Sequence, residues 1–223
     1  MSYCVAIDGP AGAGKSTIAR QIAKRMNLIY VDTGAMYRAM ALFMLWEKVD
    51  PTDAESVSKK CEEAQITIRY EEGEQVVYLN NKNVNAFLRT EEVGNMASVT
   101  SAQKAVRKKM VVLQQKLAET TDVIMDGRDI GTCVLPNADV KIYLTASSHV
   151  RAKRRYDELV AKGEACNLSE IEKDIIERDE RDMTRKESPL RQAEDAILVD
   201  SSEMTIEDVI QTIIKICEEK RGN

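Results

Sequence analysis

The sequence has little of what metal centres and secreted scaffolds need. Histidine occurs once in 223 residues, and the five cysteines (Cys4, Cys61, Cys133, Cys166, Cys217) lie far apart with no Cys-x-x-Cys pair. That combination argues against a zinc site and against a disulfide framework. The thiols read instead as small buried hydrophobes in a reducing cytoplasm. No block of basic residues occurs, and 32 Lys+Arg against 37 Asp+Glu leave a net charge of −5. Bulk attraction to nucleic acid or to an anionic membrane is therefore not expected, although a local basic pocket stays open. The opening Met-Ser-Tyr-Cys-Val-Ala-Ile-Asp has no basic segment and too short an apolar run for a signal peptide. No stretch approaches the ~20 apolar residues that cross a bilayer. Internal repeats and low-complexity segments are also missing. With 43% hydrophobic and 31% charged residues, what remains is a cytoplasmic globular chain, read as one domain.

Strand and helix patterns alternate at both ends. Val5–Ile7 is a short β run, followed by a glycine-rich loop and a helix with Ile18, Ile22 and Met26 on one stripe. Leu28–Val31 is a second apolar strand, and a helix rich in Ala, Met and Leu runs from Gly34 to about position 48. Strand, crossover helix and strand make a βαβ unit, so a parallel sheet with helices on both faces is expected. The middle breaks the rhythm. Ile66–Tyr70 and Val76–Leu79 flank Glu-Glu-Gly-Glu-Gln as a hairpin, with helices over 91–99 and 102–118. Strands return at 123–125, 140–144 and 196–199, separated by a charged helical stretch over 148–185, and a last helix covers 205–220. The fold class is α/β, with five parallel strands, one insertion and one lid-like excursion.

Gly9-Pro10-Ala11-Gly12-Ala13-Gly14-Lys15-Ser16 matches the phosphate-loop pattern G-x-x-x-x-G-K-[ST] in full. Glycines let the backbone curl so that successive N–H groups point at a phosphate, and the helix opening near Lys15 adds its positive end. Lys15 supplies a point charge near the β- and γ-phosphates, and the Ser16 hydroxyl can ligate Mg²⁺. Chance produces such a match in roughly one chain in a hundred of this length, but here it also follows a strand and opens a helix. GTPases carry an N-K-x-D motif; Asn81-Lys82-Asn83-Val84 lacks the aspartate and sits in the apparent hairpin. Motor ATPases usually need more chain, so a small-molecule kinase leads.

Arginines refine that reading. Arg151, Arg154 and Arg155 share a helix face, as do Arg178, Arg181 and Arg185. Arg38 and Arg128 follow strands, at the carboxyl edge where ligands bind in such sheets. Phosphoryl transfer is served by converging cations, and a phosphate acceptor is already anionic and needs no general base. An arginine-rich site thus suits a nucleoside monophosphate acceptor, while Asp8, Asp126 and Asp129 near strand ends keep a hydroxyl acceptor in play. Two rivals stand beside it: a kinase for a sugar or shikimate-like hydroxyl, and a module that binds ATP without turnover.

Three segments carry a resemblance: Gly9–Thr17, Asp32-Thr-Gly-Ala-Met-Tyr-Arg38 and Asp126-Gly-Arg-Asp-Ile-Gly-Thr132. Together with Leu88–Val93, Lys141–Leu144 and Glu177–Asp182, they closely resemble the bacterial cytidylate kinases, a branch of the P-loop nucleoside monophosphate kinases, over nearly the whole chain. The resemblance implies transfer of the ATP γ-phosphoryl group to CMP or dCMP, with Mg²⁺, by a monomer. It implies a core over 1–34, 102–147 and 189–223, an acceptor-binding region over 35–101 and a lid over 148–188. ATP contacts fall on Gly9 through Thr17. Arg38 and Arg128 correspond to clamps on the acceptor phosphate, and Thr33, Arg107, Asp129 and Arg185 to contacts with the cytosine ring. A carboxylate such as Asp129 can accept from the exocyclic amine that uracil lacks. Arg178 and Asp182 correspond to pentose contacts, Ser98 to a polar group near the acceptor sugar, and Arg154 to a lid arginine near the ATP phosphates. Lys15, Arg128, Arg154 and Arg178 are thereby the catalytic cations. Thr33 stands where the family often has serine; both carry a hydroxyl.

Overall fold

The computed structural model describes residues 2–222 and divides into two compact units, Met1–Tyr30 with Thr120–Asn223, and Val31–Glu119.

In the first unit the phosphate loop joins β1 (Cys4–Asp8) to α1 (Lys15–Met26). The chain then enters β2 (Ile29–Asp32), whose last two residues begin the second unit. Beyond the second unit come β6 (Val123–Gly127), β7 (Val140–Thr145), α6 (Ser148–Ala161), α7 (Leu168–Thr184), β8 (Ile197–Asp200) and α8 (Ile206–Arg221). The five strands form one sheet in the order β2-β6-β1-β7-β8. β1 pairs in parallel with both β6 and β7, and β7 with β8, so the predicted parallel α/β sheet is present. Val5, Ile7, Ile124, Ile142 and Leu144 are almost wholly buried. They join Ile18 and Ile22 of α1 and Val209, Ile210 and Ile213 of α8 in one core. The four-residue spacing of the α1 stripe is what aims those isoleucines at the sheet.

The excursion predicted as one helical stretch over 148–185 is two helices. Gly163, at φ 77°, ends the α6 segment in a left-handed conformation. Asn167 then caps α7, accepting from the Ser169 and Glu170 amides.

The second unit holds α2 (Thr33–Trp46), α3 (Ala54–Glu63), β3 (Ile66–Glu71), β4 (Glu74–Leu79), β5 (Lys82–Asn83), α4 (Glu91–Thr100) and α5 (Lys104–Ala118). Ala35, Met36, Ala39, Met40, Leu42 and Met44 of α2 are all buried. A helix apolar on most sides belongs inside, and α2 packs against α4, α3 and α5. The expected hairpin is β3–β4, turned by Glu72 and Gly73, both at positive φ. Lys82 and Asn83 add a third, short antiparallel strand. All five cysteines are free; Cys61 and Cys217 are buried, but Cys4, Cys133 and Cys166 are only half-buried.

Candidate active site

The loop over 9–16 is held from both sides within the first unit. Gly9 has φ 150°, and a Cβ there would lie 1.9 Å from the Leu144 carbonyl oxygen of β7. No other residue type fits without moving the strand. At the loop's crest the Ala11 carbonyl accepts from Arg151 Nη1 at 2.8 Å. The same guanidinium donates through Nε to the Ala146 carbonyl at 2.9 Å and pairs through Nη2 with Asp179 Oδ2 at 2.6 Å. Arg151 is thus a strut between the loop, the end of β7 and α7. Its helix-face spacing grouped it with Arg154 and Arg155, but burial separates it from them. It supports the loop's backbone and is not a spare cation.

Gly14 (φ 86°) turns the chain into α1, so Lys15, Ser16 and Thr17 form the helix's first turn. Lys15 is buried, and its ammonium donates to the Pro10 carbonyl at 2.7 Å. Burial and then the nearby Arg128 charge push its pKa well below the usual lysine range, against the pull of Asp126, Asp8 and Asp182. An anion placed among these cations would reverse that penalty. Ser16 Oγ donates to Asp126 Oδ2 at 2.8 Å, and Tyr30 donates to the other oxygen, Oδ1, at 2.8 Å. Hydroxyl and carboxylate oxygens side by side are the hard donors Mg²⁺ takes. Among the described residues no group of three or more His, Cys, Asp or Glu could hold a metal ion. A cation here would therefore rest on one or two protein oxygens plus phosphates, as Mg²⁺ commonly does. The sequence marks Asp126 only as a carboxylate near a strand end; its contact with Ser16 joins positions 110 residues apart.

The segment after β6 carries Arg128 and Asp129 and then a single π-helical turn, Ile130–Val134. Arg128 Nε donates to Asp182 Oδ2 at 2.9 Å. Arg185 lies 3.5 Å from Asp182 Oδ1 and 3.9 Å from Asp129 Oδ1, and its Nε donates to the Ser188 carbonyl. Burial opposes charge on Asp182, yet Arg128, Arg185 and Arg178 hold its pKa below the carboxylate range. Burial likewise pulls on Arg128, and Asp182, Asp126 and Asp179 hold its pKa above the usual value. Five of the sequence-selected residues, Arg128, Asp129, Arg178, Asp182 and Arg185, are thereby gathered into one alternating network of charge. Arg154 is elsewhere: its Nη2 donates to the Ser201 carbonyl at 2.7 Å and Nη1 to the Ser201 hydroxyl at 3.3 Å.

Within the second unit Asp32 caps α2 by accepting from the Ala35 amide, and Arg89 pairs with its other oxygen at 2.8 Å. Thr33, the first residue of the helix, is buried. Arg38 folds back along α2, where a Cβ on Gly34 would lie 3.2 Å from its Nη1. Arg107 is buried on α5, its guanidinium 5.2 Å from the Tyr37 ring centre and its Nη1 donating to the Ser101 carbonyl at 3.1 Å. Ser98 Oγ on α4 is buried with no hydrogen-bond partner among the described residues, a donor that a polar ligand group would satisfy.

A parallel sheet with a complete phosphate loop at its carboxyl edge, backed by a cluster of arginines and carboxylates, defines a P-loop phosphotransferase of the small-molecule kinase class. A solved shikimate kinase from Bacteroides thetaiotaomicron shares this fold, with a TM-score of 0.51 at 13% identity over 97% of this chain and 98% of that one. The cytidylate kinase family model matches residues 5–219. Relatives named cytidylate kinase include one from Halalkalibacterium halodurans, 47% identical over 97% of both chains. Another, from Bacillus subtilis, is 45% identical over 97% of this chain and 96% of its own. The chain belongs to the cytidylate kinase family.

Proposed function

We propose that this protein transfers the γ-phosphoryl group of ATP to CMP or dCMP, giving ADP and CDP or dCDP. The observation that carries the reading is the network of Arg128, Asp182, Arg185 and Asp129 in a chain of this family. It offers cations to a phosphate and, in Asp129, a carboxylate acceptor for the cytosine amine.

The phosphate loop binds the donor phosphates through its backbone N–H groups, and Lys15 exchanges the Pro10 carbonyl for a phosphate oxygen. Ser16, with Asp126 beside it, would hold Mg²⁺, which neutralises charge on the β- and γ-phosphate oxygens when bound. Arg38 and Arg128 engage the acceptor phosphate, while Arg154 and Arg178 serve the transferring group. Arg154 must leave Ser201 to do so. The acceptor phosphate is already ionised near neutral pH, so no residue needs to remove a proton. Thr33, Arg107, Asp129 and Arg185 recognise the base, Arg178 and Asp182 the pentose, and Ser98 the acceptor sugar. The chain works as one kinase domain, with residues 35–101 serving the acceptor and residues 148–188 closing over the reaction to exclude water. We propose further that it acts as a cytoplasmic monomer. No helix among the described residues is long and apolar enough to cross a membrane.

A coupled assay offering ATP with CMP, dCMP, UMP, AMP or shikimate tests the reading. Turnover highest with CMP and dCMP is expected. Preference for shikimate, or ATP binding without turnover on any acceptor, would replace it with one of the two rivals.

A further inference from the structure

Asp8 is the last residue of β1 and sits in register with Gly127 of β6 and Tyr143 of β7. It is buried, and its carboxylate is engaged by main-chain amides. Its two oxygens accept from two consecutive backbone amides, Ile130 N to Oδ1 and Gly131 N to Oδ2, both at 2.7 Å. Those amides open the π-helical turn directly after Arg128 and Asp129. The fit is close: a Cβ on Gly131 would lie 3.1 Å from Lys141 Cδ and 3.4 Å from Asp8 Oδ2. Only a carboxylate presents two acceptors to two adjacent N–H groups, because an amide side chain offers one acceptor and turns a donor toward the other.

The arrangement carries a cost. Burial raises the Asp8 pKa to about 6, with Asp129 adding to the rise and the two amides and Lys15 opposing it. A buried carboxylate kept at such a cost, in a place where an apolar residue could fill the sheet edge, points to a role in the site rather than in the core.

We propose that Asp8 is a positioning residue for the acceptor half of the reaction: by gripping the Ile130 and Gly131 amides it fixes the backbone that aims Arg128 and Asp129. This rests on the cytidylate kinase reading for its kinetic consequence but not for its structural one. The variants Asp8→Asn and Asp8→Glu, compared with wild type, separate the two.

In wild type, the amide proton resonances of Ile130 and Gly131 should shift together as Asp8 titrates. Asp129, Lys15 and Tyr143 are the ionisable groups whose charge acts on it or is acted on by it, while the Lys141 ammonium beyond is held by Pro136 and Asp195. Ile130 and Gly131 amide resonances that fail to move together as the Asp8 carboxyl titrates, its own titration followed through its carboxyl carbon resonance, would overturn the proposal, and this measurement needs no variant to fold. In Asp8→Asn, hydrogen exchange at one or both amides should accelerate at least tenfold. KM for CMP should rise at least tenfold while KM for ATP changes less than threefold. Asp8→Glu keeps the charge but displaces it, and should recover part of the loss. Equal changes in both KM values, a KM for CMP within twofold of wild type, or unchanged exchange at both amides would each contradict the proposal. Wild-type protein inactive on CMP would remove the kinase reading, while the amide measurements would still decide whether Asp8 holds the turn.

Discussion

Replacing Arg151 should unsettle both the fold and the phosphate loop. Its side chain is 6% exposed and that of its partner Asp179 is 12% exposed, so the pair is screened little by solvent. In Arg151→Met the Asp179 carboxylate stays buried with Oδ2 unpaired, and Oδ1 already has no hydrogen-bond partner among the described residues. The Ala11 and Ala146 carbonyls lose their donors as well. Breaking one side of a buried pair costs about 3–5 kcal/mol. For a chain of this size that lowers Tm by roughly 6–20 °C. Arg151→Lys keeps a charge, but a single ammonium cannot reach three acceptors lying in three directions, so a smaller loss is expected. The double variant Arg151→Met/Asp179→Leu removes both charges and should regain most of the stability. Urea unfolding followed by circular dichroism measures all three. KM for ATP should rise in each under conditions where the protein stays folded, because the Ala11 carbonyl belongs to the loop. A loss below about 1 kcal/mol in Arg151→Met, the range of an exposed pair, would refute the reasoning. So would a double variant no more stable than the single one.

Other consequences are as direct. Lys15→Ala should lower kcat by a factor on the order of 10² or more while leaving the unfolding midpoint near that of wild type, since it removes a charge needed mainly on the transferring group; near-normal turnover would exclude Lys15 from the chemistry. Asp129→Ala should narrow the preference for CMP over UMP, read from kcat/KM on each, and an unchanged ratio would remove Asp129 from base recognition. The Asp8 carboxyl also sets a pH dependence. Its folded pKa of about 6 lies above the ordinary aspartate value of 3.8, so the folded state binds the proton more tightly. The Asp8 contribution to stability therefore falls as pH rises through that interval and is constant above it. Between pH 4 and 7, wild type should lose up to about 3 kcal/mol relative to Asp8→Asn, measured as the difference between their urea unfolding free energies at each pH. A constant difference would contradict a buried, ionising Asp8.

Local rules made some elements plain and left others hidden. The phosphate loop and the β1-α1-β2 unit were legible because glycine spacing and the change from strand to helix periodicity are short-range signals. Helix α3 was not: only Val57 and Cys61 of it are buried, and one apolar pair amid charged residues makes a weak stripe. Asp53, which caps it by accepting from the Glu55 and Ser56 amides, was the signal present. Strand β5, two polar residues long, has no periodicity to read. Among the site residues, types and loops could be named, but their pairing could not. Arg151 and Arg154 share a helix and differ by three positions, yet one braces the loop while the other meets Ser201. Burial decides between them, and it depends on the packing of α6 against α7. The grips of Asp8 on the Ile130 and Gly131 amides and of Asp126 on Ser16 span more than a hundred residues, a range at which spacing carries no information.

The central claim is phosphoryl transfer to a cytidine monophosphate, and stoichiometry tests it most directly. Purified protein incubated with Mg²⁺, ATP and CMP, with products separated by ion-exchange chromatography, should yield CDP and ADP in equal amounts. ADP should fall to background when CMP is left out. ADP formed without CDP, or no nucleotide diphosphate from CMP, would contradict the account.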